Sequence, residues 1–422
     1  MSWNERITFV EPSLNEVENL IRSSNCTFVL NGSEPKNHHE ASGSLKFSKL
    51  MGIGVKEEFV SLQHNWRIDL RKWLSAQKDL VLGYMSYDLK NQLEKLHSNN
   101  PDRIGFPKLR FVVPETVIIW EGETCSVHTH SPQPFATEAA SENQRSIGHD
   151  KSVIDKKRYC EVVSELKNHI QQGDIYEVNY CVEHRFEETS VDPYRLFLEL
   201  QASSPAPFSC YVADQGNYLV GSSPERFMMK KGNRIVSQPM KGTSRKTLDN
   251  ESQKEILRND AKEVAENVMI TDLVRNDLSR SAVKGSVNVD ELCGVYEFEH
   301  VNTMISTISA QLRDDVHPVD ALLNAFPMGS MTGAPKIRAM ELIDVYEDFS
   351  RGLYSGSVGY FTPELDFDFN VVIRSILYNE AEKVVTFPTG GAITINSEPE
   401  KEYEECLLKA EAMRKVLLNH AG

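Results

Sequence analysis

The chain has 422 residues, a formal net charge of −15 and seven cysteines. Its length suffices for one large domain or two ordinary ones with a deep core. The negative charge argues against a nucleic-acid partner, and an odd number of cysteines without a CxxC pair predicts reduced thiols in a cytoplasm. No apolar run approaches the roughly 20 residues of a membrane helix, so we expect no membrane contact.

Residues 131–154 form a polar, proline-containing segment that we predict to be a linker. Residues 1–130 are predicted to form an α/β region that packs onto the rest of the protein. Residues 155–422 have a denser and more regular pattern, and we predict that they form the catalytic region. Strand-like runs of the first region lie at 27–30, 80–84 and 111–120.

Helices and strands are mixed along the region after residue 154. Helices are predicted from apolar periodicity, or from a proline in the first turn, at 157–172, from 193 onward, and at 251–275, 334–348 and 399–419. Strands are predicted at 175–186, 218–221, 234–237, 356–361, 369–377 and 384–387. Because hairpin-like connections join several of these strands, we predict a layered α+β fold rather than a doubly wound sheet.

Lys241 follows the predicted strand 234–237 and lies between Pro239 and Gly242, a pattern typical of a turn. A lysine that is partly desolvated in such a place loses basicity and becomes a usable amine nucleophile. The alternative interpretation is an ordinary surface lysine on a hairpin. The residue by itself does not decide between them.

Two pairs of glutamates are each spaced three residues apart on predicted helices: Glu263 with Glu266, and Glu402 with Glu405. Residues at this spacing share one helix face. Either pair alone could be a solvated surface. If the two helices meet, four carboxylates converge and require a cation, and a set of oxygen ligands favours Mg²⁺.

Three further features could bind or process a ligand. Glu225 follows the predicted strand 218–221 and is either a general acid or base or a turn residue. The glycine-rich segment 389–393 is predicted to be a turn that could hold a carboxylate. Arg374 lies within the predicted apolar strand 369–377, where it must be either a structural ion pair or a ligand clamp.

Seven stretches carry motifs that occur together, in this order, in one known family. They are 173–179 (GDIYEVN), 222–227 (SSPERF), 239–243 (PMKGT), 272–277 (DLVRND), 331–341 (MTGAPKIRAME), 352–356 (GLYSG) and 400–405 (EKEYEE). Together they resemble the chorismate-utilising enzymes over residues 155–418. The resemblance implies a large α+β fold with two β-sheets packed together and helices outside.

The resemblance also implies a role for individual residues. Glu266 and Glu405 match the Mg²⁺ ligands, with Glu263 and Glu402 beside them. Glu225 matches the carboxyl that protonates the departing C4 hydroxyl of chorismate, and Lys241 matches the amine that attacks C2. Tyr354 and Arg374 match the pair that holds the enolpyruvyl carboxylate. Other substrate-side or metal-side positions are Gly242, Thr243, Gly390 and Lys409.

With a lysine at position 241, the chain resembles one branch of this family in particular. Enzymes that make 4-amino-4-deoxychorismate, which leads to 4-aminobenzoate and folate, have Lys at this position, whereas anthranilate synthases usually have a small residue. The resemblance implies amination of chorismate at C4 through a covalent adduct on Lys241. Ammonia would come from a separate glutamine amidotransferase subunit, because no cysteine of this chain lies in a Gly-x-Cys-x-Gly turn.

Two positions depart from the family pattern. Thr303 stands where many relatives have His, and we expect this change to disfavour the elimination of pyruvate. Glu177 stands where enzymes that add ammonia mostly have Gln and enzymes that add water have Lys. A carboxylate here adds negative charge beside a dianionic substrate.

Other functions remain open at this point. An anthranilate synthase large subunit is disfavoured by Lys241, and an isochorismate or salicylate synthase by the absence of Lys at position 177. A protein that binds chorismate or tryptophan without catalysis is disfavoured by the presence of Glu225, Glu266 and Glu405 together with Lys241.

Overall fold

The structure is a computed structural model that describes residues 14–32, 45–122, 124–130, 145–152, 155–247, 249–298 and 301–420. The helices in these ranges are α1 Leu14–Ser23, α2 Trp66–Ala76, α3 Lys90–Leu93, α4 Lys156–Gln171, α5 Pro193–Ser203, α6 Asn250–Asn259, α7 Ala261–Ser279, α8 Pro318–Ala325, α9 Lys336–Tyr346 and α10 Pro399–Asn419.

The strands in the same ranges are β1 Cys26–Asn31, β2 Lys49–Ile53, β3 Glu57–Phe59, β4 Val81–Met85, β5 Leu109–Val113, β6 Thr116–Glu121, β7 Thr124–Thr129, β8 His149–Asp150, β9 Glu177–Glu187, β10 Phe208–Asp214, β11 Asn217–Ser223, β12 Arg226–Lys231, β13 Arg234–Gln238, β14 Met240–Arg245, β15 Asn288–Glu297, β16 Val301–Gln311, β17 Gly333–Ala334, β18 Ser357–Phe361, β19 Phe367–Asn370, β20 Ser375–Asn379 and β21 Val384–Ile393.

These strands form two antiparallel sheets. The first has the order β17-β9-β21-β20-β11-β10-β1-β2-β6-β7, with β8 also paired to β9. The second has the order β14-β16-β13-β12-β19-β18-β4-β5-β3, with β15 also paired to β16. The largest apolar cluster joins side chains of both sheets, among them Phe28 and Val212 of the first and Leu82 and Phe369 of the second. The two sheets therefore pack face to face, and the predicted α+β fold is confirmed.

Helices cover the outer face of the first sheet. A second apolar cluster contains Phe197 of α5 and Met413 and Leu417 of α10, together with Tyr211 of β10 and Phe387 of β21. Across the described ranges, no helix combines the length and apolar character needed to cross a bilayer.

The N-terminal region contributes strands to both sheets rather than to one. Strands β1, β2, β6 and β7 belong to the first sheet, and β3, β4 and β5 belong to the second. Of the predicted linker, residues 131–144 and 153–154 lie outside the described residues. Within it, β8 extends the first sheet by pairing with β9.

Several predicted elements are confirmed with small shifts of their ends, including α4, α5, α9, α10, β9 and β18. Three predictions of continuous elements are wrong. The run 111–120 is split between β5 and β6, which belong to different sheets. The helix predicted at 251–275 is two helices, because Asp260 is extended (φ −72°, ψ 111°) and its carboxylate accepts hydrogen bonds from the first backbone amides of α7.

The strand predicted at 369–377 is also interrupted. Strand β19 ends in the second sheet and β20 begins in the first. Arg374 lies in the crossing segment with φ +49°, so it is not a strand residue as predicted. The interruption follows from packing, since one apolar run serves two sheets in succession.

Two predicted turns are strand segments instead. The segment 389–393 belongs to β21, where Gly390 faces Cys181 of β9. A Cβ atom on Gly390 would lie 2.2 Å from the Tyr180 carbonyl oxygen, so the glycine permits close approach of two strands rather than a turn. Lys241 lies in β14, whose pairing with β16 shifts register between Met240 and Thr243.

Candidate active site

The candidate site lies where one edge of each sheet comes together. Strand β14, at the end of the second sheet, carries Lys241, and β9, beside the edge strand β17 of the first sheet, carries Glu177. The Lys241 Nζ lies 3.5 Å from Glu177 Oε1. Helix α7 packs on β14 and β16, and α10 packs on β21. The site is therefore built from both sheets and two helices.

The backbone at Lys241 is held in a fixed position. Gly242 has φ +90°, which glycine adopts without strain, and it forms the irregularity in β14. The Asn267 side chain donates to the carbonyl oxygens of Lys241 (3.2 Å) and Met304 (3.3 Å). Asn267 therefore ties α7 to both strands. Asn267 was not identified from the sequence, although an amide side chain on a predicted helix is a signal that could have drawn attention to it.

The charge around the Lys241 amine is strongly negative. Its Nζ lies 4.0 Å from Glu266 Oε2 in addition to the contact with Glu177. Burial lowers the pKa of Lys241, but the carboxylates of Glu177, Glu266, Glu405 and Glu225 outweigh burial and raise that pKa. The expectation that the site lowers the basicity of this lysine is therefore wrong for the protein alone. A role as nucleophile requires that the proton be removed.

Glu225 is buried between β11 and β12, with only 4% of its surface exposed. Burial raises the pKa of Glu225 to about 7, while the charge of Lys241 opposes the rise. The carboxyl of an exposed turn residue would not have its pKa raised by burial in this way. A carboxyl that keeps its proton near neutral pH can act as a general acid.

Lys262 lies between the two helices that carry the glutamate pairs, so the condition on which their convergence depended is met. The Lys262 Nζ lies 3.8 Å from Glu266 Oε1 on α7 and 3.5 Å from Glu402 Oε1 on α10. Burial, followed by the charge of Glu266, raises the pKa of Glu263. Burial also raises the pKa of Glu402, and Glu405 adds to this rise. Lys262 was not identified from the sequence, although its spacing of four residues from Glu266 is the pattern of a helical ion pair.

Lys409 connects α10 to β21. Its Nζ lies 2.8 Å from Glu405 Oε1 and donates to the Gly390 carbonyl oxygen at 2.9 Å. This contact lowers the pKa of Glu405, with Lys409 as the largest cause. Lys409 and Gly390 are therefore placed beside the glutamates.

The carboxylates could hold a metal ion, although no three of them already converge as a metal site within the described residues. The Oε1 atom of Glu266 is buried and accepts no hydrogen bond. An oxygen-only donor set with such an unsatisfied atom fits a hard divalent cation such as Mg²⁺.

Arg374 carries a partly buried guanidinium without a carboxylate partner within the described part of the chain. Burial alone lowers the pKa of Arg374, which is the effect expected of an uncompensated cation. Its carbonyl oxygen accepts a hydrogen bond from the Ser222 amide at 3.1 Å, beside the segment that leads to Glu225. Of the two interpretations of this arginine, the geometry favours a ligand clamp over a structural ion pair.

Tyr354 and Thr243 occupy the surroundings of the site. The Tyr354 hydroxyl is buried, 3.7 Å from Cys181 Sγ, and Cys181 lies opposite Gly390. The loop of Tyr354 reaches the crossing segment of Arg374 through the Ser355 amide, which donates to the Val372 carbonyl oxygen at 2.8 Å. Thr243 lies opposite Thr303 in the pairing of β14 with β16.

Comparisons with known proteins give the same family for most of the chain. Residues 21–415 match the family model described as chorismate binding enzyme. Anthranilate synthase component 1 of Thermus thermophilus is 35% identical over 359 residues, which are 80% of this chain and 77% of that protein. Aminodeoxychorismate synthase component 1 of Escherichia coli is 34% identical over 350 residues, which are 80% of this chain and 76% of that protein.

A solved structure supports the fold. Anthranilate synthase component I from Streptococcus pneumoniae superposes with a TM-score of 0.76 at 22% identity, covering 90% of this chain and 95% of that chain. The two sequence relatives have different names at nearly equal identity. Overall similarity therefore does not separate one reaction from the other.

Proposed function

Because the chain belongs to the family of chorismate-binding enzymes, we propose that it is component I of an aminodeoxychorismate synthase. It would convert chorismate and ammonia to 4-amino-4-deoxychorismate. The observation that carries this proposal is the Lys241 amine, 14% exposed and facing Glu177 and Glu266 where the two sheets meet. The anthranilate synthase alternative has no use for an amine at this position.

The proposed reaction consists of two displacements. The Lys241 amine attacks C2 of chorismate, while Glu225 gives its proton to the C4 hydroxyl, which leaves as water. Ammonia then bonds to C4, and the C2–N bond breaks with its electron pair returning to Lys241. The covalent step explains why the amino group ends at C4 rather than C2.

Binding of the dianionic substrate is assigned to residues around this centre. Arg374 and Tyr354 would hold the enolpyruvyl carboxylate, and Gly242, Thr243, Gly390 and Lys409 would line the remainder of the site. Glu263, Glu266, Glu402 and Glu405 would hold Mg²⁺. When bound, the ion would neutralise the ring carboxylate and polarise the conjugated diene. We further propose that a glutamine amidotransferase subunit supplies the ammonia.

Mass spectrometry of the products formed from chorismate, Mg²⁺ and ammonium tests this function. We expect a product that keeps its enolpyruvyl group, in keeping with Thr303 in place of a proton-transferring His. An assay coupled to lactate dehydrogenase should therefore detect no pyruvate until a separate lyase is added. Stoichiometric pyruvate from the purified chain would contradict the proposal and favour anthranilate synthase.

Arg374→Ala should weaken chorismate binding and leave the fold intact. Loss of a charged, bidentate contact is worth about 1.5–3 kcal/mol, or roughly 10- to 150-fold in the dissociation constant. The thermal midpoint should not fall, because the guanidinium has no carboxylate partner in the described residues. Titration calorimetry and thermal unfolding measure the two effects. Arg313→Ala is the control, since Arg313 pairs with Asp315 at the surface and donates to the Arg280 carbonyl oxygen, away from any carboxylate of the site. Unfolding of Arg374→Ala with unchanged affinity in the folded fraction would show a structural role instead.

A further inference from the structure

Lys262 brings a positive charge of the chain itself to the two glutamate pairs. It lies in the first turn of α7, and its Nζ lies 3.8 Å from Glu266 Oε1 and 3.5 Å from Glu402 Oε1. The charges of Glu402, Glu266, Glu405 and Glu263 all act on this ammonium. The carboxylates proposed to hold Mg²⁺ therefore already face a cation.

The contacts of this ammonium are too long to replace a bound ion fully. Both exceed the length of a typical N–H···O hydrogen bond, which is about 3 Å between the heavy atoms. Oε1 of Glu266 accepts no hydrogen bond from the residues that the structure describes. Lys262 thus offsets part of the negative charge but leaves this oxygen without a donor. A divalent ion bonded directly to the carboxylates would supply both charge and a ligand bond.

Lys262 is also more free to move than the other lysines beside these glutamates. The side chain of Lys241 is 14% exposed, and that of Lys409 is 33% exposed and donates to the Gly390 carbonyl oxygen. The side chain of Lys262 is 46% exposed. Its flexible four-carbon stem can carry the ammonium into water without disturbing the backbone of α7.

We infer that Lys262 is an exchangeable counterion of the metal site: its ammonium offsets the glutamate charges in the protein alone and withdraws toward solvent when a divalent ion binds. The inference rests on the Mg²⁺ site of the proposed function. Lys262 then stabilises the metal-free protein and lowers the affinity for Mg²⁺, since the two cations compete. A monovalent ion would only replace one unit of charge by another, so this competition favours a divalent ion.

Lys262→Met tests the inference, because it removes the charge and keeps an unbranched apolar stem. We expect the dissociation constant for Mg²⁺ to fall at least about fivefold, the lower end of typical couplings between two bound groups. Titration calorimetry at constant ionic strength, without chorismate, measures this constant. In excess chelator the thermal midpoint of the variant should lie below that of the wild type, because the glutamates lose a counterion. Lys262→Arg keeps the charge and should resemble the wild type in both measurements.

Lys156→Met is the matched control. The side chain of Lys156 is 45% exposed and also reaches α10, but its partner there is Glu400, which belongs to neither glutamate pair. This variant loses a lysine of the same exposure and an ion pair to the same helix. Its affinity for Mg²⁺ should equal that of the wild type.

A lysine that only supports the bound ion would give the opposite sign, since loss of such a residue weakens metal binding by about 10- to 100-fold. Weaker or unchanged Mg²⁺ binding by Lys262→Met would overturn the inference. If this variant does not fold, Lys262→Gln takes its place with the same expectations.

The proposed function fails separately from the role of Lys262. A wild type that binds Mg²⁺ and releases stoichiometric pyruvate contradicts the proposed function, while tighter Mg²⁺ binding by Lys262→Met would still support the role of Lys262. A wild type that forms 4-amino-4-deoxychorismate, with Mg²⁺ affinity unaffected by Lys262→Met, contradicts only the role of Lys262.

Discussion

Lys241→Ala should abolish the chorismate-derived adduct that forms under turnover on the peptide containing residue 241. Formation of 4-amino-4-deoxychorismate should slow by at least about 1000-fold, the scale on which loss of a covalent nucleophile slows an enzyme. Trapping, proteolysis and mass spectrometry measure the adduct, and chromatography measures the product. With C2 no longer blocked, we expect any residual amination to give anthranilate-type product.

Lys246→Ala is the matched control for this experiment. Lys246 follows β14 by one residue and pairs with Glu297 at 2.6 Å, a residue outside the two glutamate pairs. Its variant should keep both the adduct and the rate. Normal amination by Lys241→Ala without any adduct in the wild type would remove the covalent step from the proposed reaction.

The rate of the wild type should rise with pH. The carboxylates around Lys241 raise its pKa, so the amine holds its proton at neutral pH and loses it only as the pH increases. A nucleophilic amine reacts in its neutral form, which fixes the sign of the dependence. Single-turnover formation of the adduct, measured against pH, should show this rise up to about pH 7 and then level off, because Glu225, whose pKa is raised to about 7, loses the proton that it must donate as the neutral amine accumulates.

The elements with strong periodicity could be predicted from the sequence alone. Helix α10 begins at Pro399 and ends at Asn419, as the pattern of its apolar residues indicates. The same kind of pattern could not show where the run 369–377 is divided between two strands, because its apolar side chains pack in the interior on both sides of the division. Only the presence of two sheets shows that β19 ends in one and β20 begins in the other.

The candidate site was predictable to a similar extent. The spacing of Glu263 and Glu266, and of Glu402 and Glu405, indicated two acidic helix faces, and the contacts of Lys262 with both helices bring them together. The environment of Lys241 was not predictable, since Glu177 comes from the other sheet and Glu405 from the last helix. The predicted lowering of the pKa of Lys241 was wrong, because the local sequence indicates burial but does not show the carboxylates that come from distant parts of the chain.

Glu266→Gln or Glu405→Gln should lower Mg²⁺-dependent turnover by at least about 100-fold. This is the upper end of the loss expected when residues around a bound metal ion are changed. Mg²⁺ should raise the thermal midpoint of the wild type, because a ligand that binds the folded state stabilises it, and should raise that of either variant less. Glu411→Gln, at an exposed position on α10, is the control. Full activity of either variant, or of the wild type in excess chelator, would contradict the metal site.

If the glutamates carry the charges described, Glu266→Gln should stay folded. A loss of its activity would then not result from unfolding. Burial, with the charges of Glu266 and Glu405, raises the pKa of both Glu263 and Glu402, so these two carboxylates are repelled by their neighbours in the protein alone. Removing one charge relieves this repulsion. The variant should therefore match or exceed the wild-type thermal midpoint without Mg²⁺ and fall below it only when the ion is added.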